Sequence, residues 1–457
     1  MEIRQCILFL ISSALLALVS AQFSFTGDLP PGPYCPMVGC CGGRKDECSK
    51  PIVGTLCYCD DFCENRTHYL HPDVTNNDCC PDYYSFCKGI IPPPEEIFAP
   101  ECKFNGRKVQ WRNSVKSNCN LCKCEKVGQN NFEMLCETDV CIVESDILDT
   151  VNSDSRRYGW AASNYSEFWG HKLAEGIAKR LGTLEPHRFV KHMVPLRKHY
   201  DPNSLPRNFD AEREWPGKIS DIRDQGWCAS SWAISTAAVA SDRFAIVSKG
   251  DEAVSLSPQY LISCNNRGQR SCEGGHLDKA WLFFRKFGIV DENCFPYTGQ
   301  EETCRFPRKY NLIQSGCVPP FGVNRKEKYK VAPAYRLRNE TDIMNDIIKS
   351  GPVQATMKVY HDFFLYKSGI YRHTDLSSQD RTGYHSVKII GWGDEYTENG
   401  VEKYWKVANS WGRAWGENGY FRIIRGVNEC DIESFVLGAW PLTVDPNTKN
   451  DVLKKKK

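Results

Sequence analysis

The stretch DQGWCASSWA, residues 224–233, decides how the second half of the chain is interpreted. An apolar, alanine-rich run follows it and includes Trp232, Val239, Phe244 and Ile246. This composition predicts a helix with Ser231 in its first turn. The free N–H groups and positive end of a helix stabilise a thiolate at such a position, because they lower the pKa of a cysteine. Residue 231, however, is a serine.

Two later segments carry residues that could act with Ser231. GYHSVKIIGWG, residues 383–393, places His385 at the start of an apolar strand, and YWKVANSWG, residues 404–412, contains Asn409. A single histidine before an apolar strand is usually structural. Its meaning here depends on the order of all three segments along the chain.

In that order, the three segments resemble papain-family cysteine proteases of the cathepsin B type. The resemblance runs from residue 205 to 441, about half of the chain. It implies an α+β, papain-like two-lobed cysteine protease fold in which a helical half faces a sheet half. It also implies that Ser231 holds the nucleophile position, His385 is the base, Asn409 orients the imidazole and Gln225 is the side-chain donor to the oxyanion.

Serine in place of cysteine changes the expected chemistry. A thiol titrates near 8.5, whereas an alkyl hydroxyl titrates several units higher and forms no ion pair with imidazole at neutral pH. We therefore expect a pseudo-protease whose catalytic positions are inactive. The alternatives are an active papain-family peptidase and a weak serine hydrolase that uses Ser231 with general-base help.

Composition limits the other possibilities. The chain has 457 residues, 41% of them hydrophobic, and can bury one large core beside smaller modules. The formal net charge of +2 gives no overall attraction to nucleic acid or anionic membranes. No cofactor and no metal are predicted.

The first residues predict export. Residues 1–21 have the pattern of a signal peptide, with Arg4 before an apolar run and a Val-Ser-Ala cleavage site. Later in the sequence, no apolar stretch is long enough to span a membrane, so we expect a secreted protein of the extracellular space or matrix. Three sequons, at Asn65, Asn164 and Asn339, are candidate glycosylation sites.

Disulfides are expected to replace an apolar core at the start of the mature chain. Ten of the 24 cysteines lie between Cys35 and Cys87. The pattern from Cys57 to Cys87 resembles a somatomedin B module, which we place at residues 31–90 and expect to bind other proteins. Zinc ligation is the alternative.

A stiff proline-rich linker at 91–96 leads to six more cysteines between Cys102 and Cys141. Their spacing resembles a von Willebrand factor type C module at residues 98–142. A disulfide-rich spacer without that fold is the alternative.

Residues 143–204 resemble a short cathepsin B-type propeptide. A helical pattern predicts one apolar face, formed by Trp160, Phe168, Trp169, Leu173, Ile177 and Leu181. The stretch 186–199 and the basic tail 442–457 are rich in positive charge. Solvated surface is the simpler interpretation, and a heparan-type polyanion is the alternative partner.

Removal of Cys6 with the signal peptide leaves 23 cysteines, an odd number. Seven of them lie in the protease-like region. The resemblance implies three pairs there, Cys228–Cys272, Cys264–Cys304 and Cys294–Cys317, with Cys430 left unpaired.

The order of modules resembles the tubulointerstitial nephritis antigen family. That resemblance implies a secreted glycoprotein of basement membrane and extracellular matrix, whose partners are matrix proteins or other secreted ligands. Composition and spacing alone indicate less, namely disulfide-rich binding modules joined to a cleft without its nucleophile.

Overall fold

The computed structural model describes residues 32–444 except 53–54, 64–77, 91–99, 129–130, 197, 307–308, 319–324 and 398–399. The chain divides into two compact units, residues 1–99 and 100–457. Four predicted features lie outside the described residues: the signal peptide, the sequon at Asn65, the linker at 91–96 and all of the tail after residue 444.

Disulfides hold the first unit together. All ten cysteines are paired, as Cys35–Cys59, Cys40–Cys87, Cys41–Cys48, Cys57–Cys80 and Cys63–Cys79. The hairpin Ser49–Ile52 and Thr55–Tyr58 and the helices Cys35–Val38 and Tyr83–Cys87 surround a small core that includes Ile52 and Tyr83. Because each sulfur is consumed in a disulfide, the zinc alternative for this region is not supported.

The second cysteine-rich region, residues 100–142, is built from short antiparallel strands. Its strands are Glu101–Phe104, Arg107–Gln110, Ser114–Ser117, Asn120–Lys126 and Phe132–Cys136. Its disulfides are Cys102–Cys124, Cys119–Cys141 and Cys122–Cys136. The end of this region is hydrogen-bonded to the propeptide-like segment, since the Ile142 N–H donates to the His171 carbonyl at 2.9 Å.

A nine-stranded sheet forms one half of the protease-like region. Its spatial order is Tyr335–Leu337, Val436–Gly438, Val353–Val359, Gly383–Thr397, Gly400–Ala408, Tyr420–Ile424, Tyr366–Tyr371 and Trp160–Ala162, with Phe209–Asp210 beside Gly383–Thr397. All pairings are antiparallel except Tyr366–Tyr371 with Tyr420–Ile424. Side chains of this half form the larger apolar core.

The other half is helical and has a core of its own. The central helix, Ser231–Val247, is buried along almost its whole length, as its alanine-rich sequence allows. The helices Pro258–Cys264 and Leu277–Phe287 pack against it. Ser257 caps the first of these through Tyr260 N–H at 3.0 Å, and Gly288, with φ +71°, ends the second.

The remaining helical elements connect or cover these halves. The α-helices are Ser145–Ser153, Ser155–Tyr158, Leu173–Arg180, Arg188–Lys191, Ala211–Glu214 and Glu340–Ser350. The 3-10 helices are Pro202–Ser204, His361–Leu365, Asp375–Ser377 and Glu429–Asp431.

The single apolar helical face predicted between Trp160 and Leu181 is wrong in part. The helix covers only Leu173–Arg180. Trp160 begins a strand of the sheet, while Phe168 lies in a turn and the neighbouring Trp169 is exposed. Two left-handed glycines at 159 and 170 interrupt the helical path, and pairing with Tyr366–Tyr371 overrides local helix preference.

Candidate functional site

Ser231 is the first residue of the central helix and is completely buried. Its Oγ is hydrogen-bonded to Thr183 Oγ1 at 3.0 Å and accepts from the Ser386 N–H at 3.3 Å. Nδ1 of His385 is buried and, among the described residues, has the Leu181 backbone near it but no hydrogen bond of normal geometry. The hydroxyl is therefore bonded to a threonine and to the backbone beside the histidine, instead of to the imidazole.

His385 and Asn409 form a hydrogen-bonded pair. His385 Nε2 lies 2.8 Å from Asn409 Oδ1, which also accepts from the Ser410 N–H at 2.8 Å. Two donors converge on that oxygen, so Nε2 carries the proton and Nδ1 is the basic nitrogen of the neutral ring. Trp411 covers the pair, with its ring 5.3 Å from the imidazole.

Burial lowers the pKa of His385 to about 4. The hydrogen bond to Asn409 and, more weakly, the Leu181 backbone act in the opposite direction, and the positive charge of Arg180 adds to the decrease. The ring is therefore neutral at physiological pH, and its basicity is much reduced.

Gln225 is also fully buried, and its amide is saturated. Nε2 donates to the Leu181 carbonyl at 3.0 Å and to the Cys228 carbonyl at 2.9 Å, while Oε1 accepts from Ser410 Oγ at 2.7 Å. The Ser231 N–H points at the same Leu181 oxygen at 3.4 Å. A carbonyl of the chain itself thus occupies the two donors that an oxyanion would need.

Residues 181–184, here called the cleft segment, lie between the two halves. The Thr183 N–H donates to the Tyr384 carbonyl at 3.1 Å, and the Leu184 N–H donates to the Gly275 carbonyl at 2.9 Å. The Gly275 N–H in turn donates a hydrogen bond to the Gly182 carbonyl at 3.0 Å. The segment is therefore paired with both walls of the cleft, in parallel with Gly275 and antiparallel with Tyr384.

At Gly182 the cleft segment closely approaches the backbone of Ala229, two residues before the central helix. A Cβ atom built there would lie 2.2 Å from the carbonyl carbon of Ala229, and φ is +120°. Only glycine fits this position. The close approach seats the segment directly over the start of the central helix.

Upstream residues fix the cleft segment in place. Arg180 is buried and pairs with Glu167 at 3.3 Å and Asp224 at 3.2 Å. Trp411 Nε1 donates to the Arg180 carbonyl at 2.7 Å. Further upstream, the strand Trp160–Ala162 pairs with Tyr366–Tyr371 and so attaches the propeptide-like segment to the sheet.

The structure thus brings Gln225, Ser231, His385 and Asn409 into one buried site. The resemblance of residues 143–204 to a propeptide did not predict the contact of Thr183 with Ser231. A threonine carries no signal of its own; the useful signal was the position of the cleft segment before residue 205. The assigned roles of the four site residues stay a prediction.

The cysteines of this region have the pairs that the resemblance implies. The disulfides are Cys228–Cys272, Cys264–Cys304 and Cys294–Cys317, and Cys430 is free and buried. Cys228–Cys272 joins the nucleophile segment to the loop before Gly275. This disulfide therefore holds together the backbone near Ala229 and the backbone near Gly275, both of which contact the cleft segment.

Two of the three candidate glycosylation sites are described and exposed. Asn164 lies in a loop, and Asn339 caps the helix Glu340–Ser350. Both are sterically available for a glycan.

Part of the basic stretch 186–199 is used within the protein. Lys191 pairs with Glu185 at 2.6 Å, and Lys198 bonds the buried Asp346. A polyanion partner for this stretch stays a prediction. Among the described residues, no helix is both long and apolar enough to cross a bilayer.

The central helix begins at the buried Ser231 and faces His385, which lies on a strand of the sheet and is hydrogen-bonded to Asn409. This arrangement defines a papain-like peptidase fold. The family "Papain family cysteine protease" matches residues 205–440, just over half of the chain. A solved structure, proCathepsin B S9 from Trypanosoma congolense, has a TM-score of 0.55 and 31% identity, over 66% of this chain and 99% of that chain.

Curated relatives extend the match beyond this region. The chain is 45% identical over 429 residues to "Tubulointerstitial nephritis antigen-like" of Homo sapiens, covering 90% of this chain and 88% of the relative. It is 40% identical to "Tubulointerstitial nephritis antigen" of Homo sapiens over 439 residues, covering 90% and 87%. It is 38% identical to "Cathepsin B-like cysteine proteinase 4" of Caenorhabditis elegans over 297 residues, covering 58% and 85%. The chain belongs to the papain family and, within it, to the tubulointerstitial nephritis antigen family.

Proposed function

We propose that this protein is a secreted, non-catalytic cathepsin B-like glycoprotein that binds extracellular matrix or other secreted partners. One observation carries the loss of catalysis. At the start of the central helix a serine hydroxyl is bonded to Thr183, and the donors of Gln225 and Ser231 are occupied by the Leu181 carbonyl.

The state of the histidine supports the same conclusion. A serine nucleophile needs a base that is hydrogen-bonded to its hydroxyl at the moment of attack. His385, with a pKa of about 4, is a poor base at neutral pH, and the side chain to which it is hydrogen-bonded is Asn409 and not Ser231. The site therefore lacks both a reactive sulfur and an activated oxygen.

Binding is assigned to the disulfide-rich modules. In the first unit several large apolar side chains are exposed on a small stapled scaffold, namely Met37, Leu56, Phe62, Tyr84, Phe86 and Ile90. A scaffold of this kind holds such side chains in place at little entropic cost, which favours protein recognition. The curated relatives are named antigens, and their names do not state a partner.

The alternative is an active peptidase or a weak serine hydrolase at Ser231. The intact His385–Asn409 pair is the observation that favours it. The two functions differ in whether any bond is cleaved in a manner that depends on the Ser231 hydroxyl.

The first experiment measures catalysis by the full chain. Peptide substrates and an activated ester are incubated over a range of pH with the native protein and the variants Ser231→Ala and Ser231→Cys. Ser230→Cys is the matched control, because Ser230 is the adjacent buried serine and bonds Tyr297 instead of Thr183. We expect no turnover by the native chain. Turnover that Ser231→Ala abolishes would reject the non-catalytic function.

The second experiment measures binding. The full chain and the variant Phe86→Ser are applied to solubilised extracellular matrix, with Tyr396→Ser as the control for an exposed aromatic residue in the protease-like region. We expect Phe86→Ser to lose binding and Tyr396→Ser to retain it. Equal retention by the native protein and both variants would place the binding surface elsewhere.

A further inference from the structure

Three side chains with metal-binding atoms meet in the sheet half, where the loop after the strand Tyr366–Tyr371 contacts the 3-10 helix Glu429–Asp431. Nδ1 of His373 lies 2.6 Å from Oε1 of Glu429, and Sγ of Cys430 lies 3.3 Å from the same oxygen. One donor atom from each residue lies within 4.8 Å of the others. An imidazole nitrogen, a carboxylate oxygen and a thiol sulfur are thus close enough to share one ion.

The backbone holds these groups together at a conformational cost. Asn428, Cys430 and Asp431 all have left-handed backbones, with φ of 56°, 52° and 60°. None of them is glycine, so each is disfavoured by about 1 kcal/mol or more. The result is that two neighbouring side chains, Glu429 and Cys430, both face His373.

The surroundings favour a cation. Burial and the nearby carboxylates of Glu429, Asp362 and Asp431 raise the pKa of the Cys430 thiol, so these charges disfavour a bare thiolate and would favour a cation bound beside it. Asp362 is fully buried and accepts from Tyr371 Oη at 2.6 Å. The ring of Tyr360 stacks on His373 with centroids 4.2 Å apart and fixes the plane of the imidazole.

We propose that His373, Glu429 and Cys430 form a binding site for a Zn²⁺ ion. Nitrogen, oxygen and sulfur donors together suit zinc, whereas Ca²⁺ and Mg²⁺ require oxygen ligands. Zinc in tetrahedral coordination keeps its ligands about 3.3 to 3.6 Å apart, as follows from bond lengths of about 2.0 to 2.3 Å. The three donors reach that spacing with shifts of about 1 Å or less.

The fourth position belongs to water. Cys430 is buried, but about a third of the His373 side chain is exposed, so the ion has a route of entry on that side. When zinc binds, the thiol proton of Cys430 leaves to solvent and the sulfur binds as thiolate. The proton on His373 moves to the ring nitrogen that does not bind zinc.

The alternative is that His373 and Glu429 form only an ion pair and that Cys430 is a buried core cysteine without a metal. The test uses the full chain without a histidine tag. Co²⁺ is added first, because a cobalt–thiolate bond gives a charge-transfer band in the near ultraviolet that an ion pair cannot give. Zn²⁺ is then titrated by calorimetry into the native protein, Cys430→Ser, His373→Ala and His171→Ala.

His171→Ala is the matched control, because His171 pairs with Glu175 at 2.9 Å on the surface and has no cysteine in that pair. We expect one equivalent of tight zinc binding in the native protein and in His171→Ala. Binding should weaken by at least about 100-fold in Cys430→Ser and His373→Ala, because loss of even an outer-shell partner costs about 10- to 100-fold. The absence of the cobalt–thiolate band, or equal zinc titrations for the native protein and Cys430→Ser, would overturn the proposal.

Discussion

Nε2 of Gln225 donates to the carbonyl oxygen of Leu181 at 3.0 Å. Gln225 is the residue that the family resemblance assigns to oxyanion stabilisation, and Leu181 belongs to the segment that resembles a propeptide. The chain therefore fills its own cleft with a peptide group. Any ligand of the cleft must compete with the hydrogen bonds of residues 181–184.

Gly182→Ala should destabilise the cleft segment. The added methyl group would collide with the Ala229 carbonyl and would force a side chain into φ +120°. The collision and the backbone strain together should cost about 3 kcal/mol. Urea unfolding measures the total cost, and hydrogen exchange at the Ser231 amide measures local opening.

Gly217→Ala is the control for that substitution. Gly217 has φ +73° and no atom within 4 Å of a built Cβ, so it isolates the backbone strain. Gly182→Ala should lose clearly more stability and should open the cleft, whereas Gly217→Ala should leave the cleft closed. Equal losses would mean that the close approach to Ala229 is unimportant.

His385 should stay neutral down to about pH 5. Its pKa is about 4 in the folded chain, against about 6.5 when unfolded. Above pH 6.5 the imidazole is neutral in both the folded and the unfolded chain, so its titration costs no stability. Between pH 6.5 and about 4 the unfolded chain binds a proton that the folded chain does not, so the free energy of unfolding falls by up to roughly 3 kcal/mol.

Histidine NMR tests this titration directly. One imidazole should show no protonation shift between pH 8 and 5, and that resonance should be absent from His385→Gln. The variant should also lose part of the acid sensitivity of unfolding. If every histidine titrates near pH 6.5, the imidazole is exposed to solvent and the cleft is not closed.

Arg243→Met should be strongly destabilising. Arg243 and Asp346 are both fully buried, with 2.5 Å between Nη2 and Oδ2. Removal of the guanidinium leaves the carboxylate without its main partner, and such losses cost about 3 to 5 kcal/mol. Arg413→Met, in the exposed pair with Asp221, should cost less than about 1 kcal/mol. Urea unfolding of both variants measures the difference; comparable costs would show that burial does not strengthen the Arg243 pair.

Substitutions at Asn339 should separate its two roles. Oδ1 caps the helix Glu340–Ser350 by accepting from the Asp342 N–H at 2.9 Å, while a glycan would be attached through the side-chain nitrogen. Asn339→Asp keeps the cap and removes the sequon, whereas Asn339→Gln removes both, at about 1 kcal/mol for the cap. Thermal unfolding and the mass before and after glycosidase treatment measure the two effects. Equal destabilisation of both variants would assign the effect to the glycan.

Much of the protease-like half could be predicted from the sequence, because its local and tertiary preferences agree. The helix that starts at Ser231 is where the apolar, alanine-rich run places it, and His385 lies in a strand as its segment predicts. His385 and Asn409 were identified through the resemblance of their segments to the papain family, and in the structure the two side chains lie within hydrogen-bond distance, at 2.8 Å.

The segment before residue 205 was harder to predict. Trp160 has the same apolar character in a helix as in a strand, and only its partner strand, distant in sequence, decides between them. The bond between Thr183 and Ser231 joins residues 48 positions apart. The cluster of His373 with Glu429 and Cys430 likewise depends on left-handed backbone conformations at residues 428, 430 and 431, which could not be predicted from the sequence.

The strand Trp160–Ala162 determines what would happen if a proteinase cut the chain between the propeptide-like segment and the protease-like region, because it pairs with Tyr366–Tyr371 on the other side of the cut. The 3-10 helix Pro202–Ser204 is exposed and lies between this strand and the central helix, and among the described residues no disulfide would join the two sides of a cut made there. The sheet pairing and the cleft segment would nevertheless keep both fragments together. A nicked protein would therefore run as two bands in denaturing electrophoresis and still elute as one species from a sizing column.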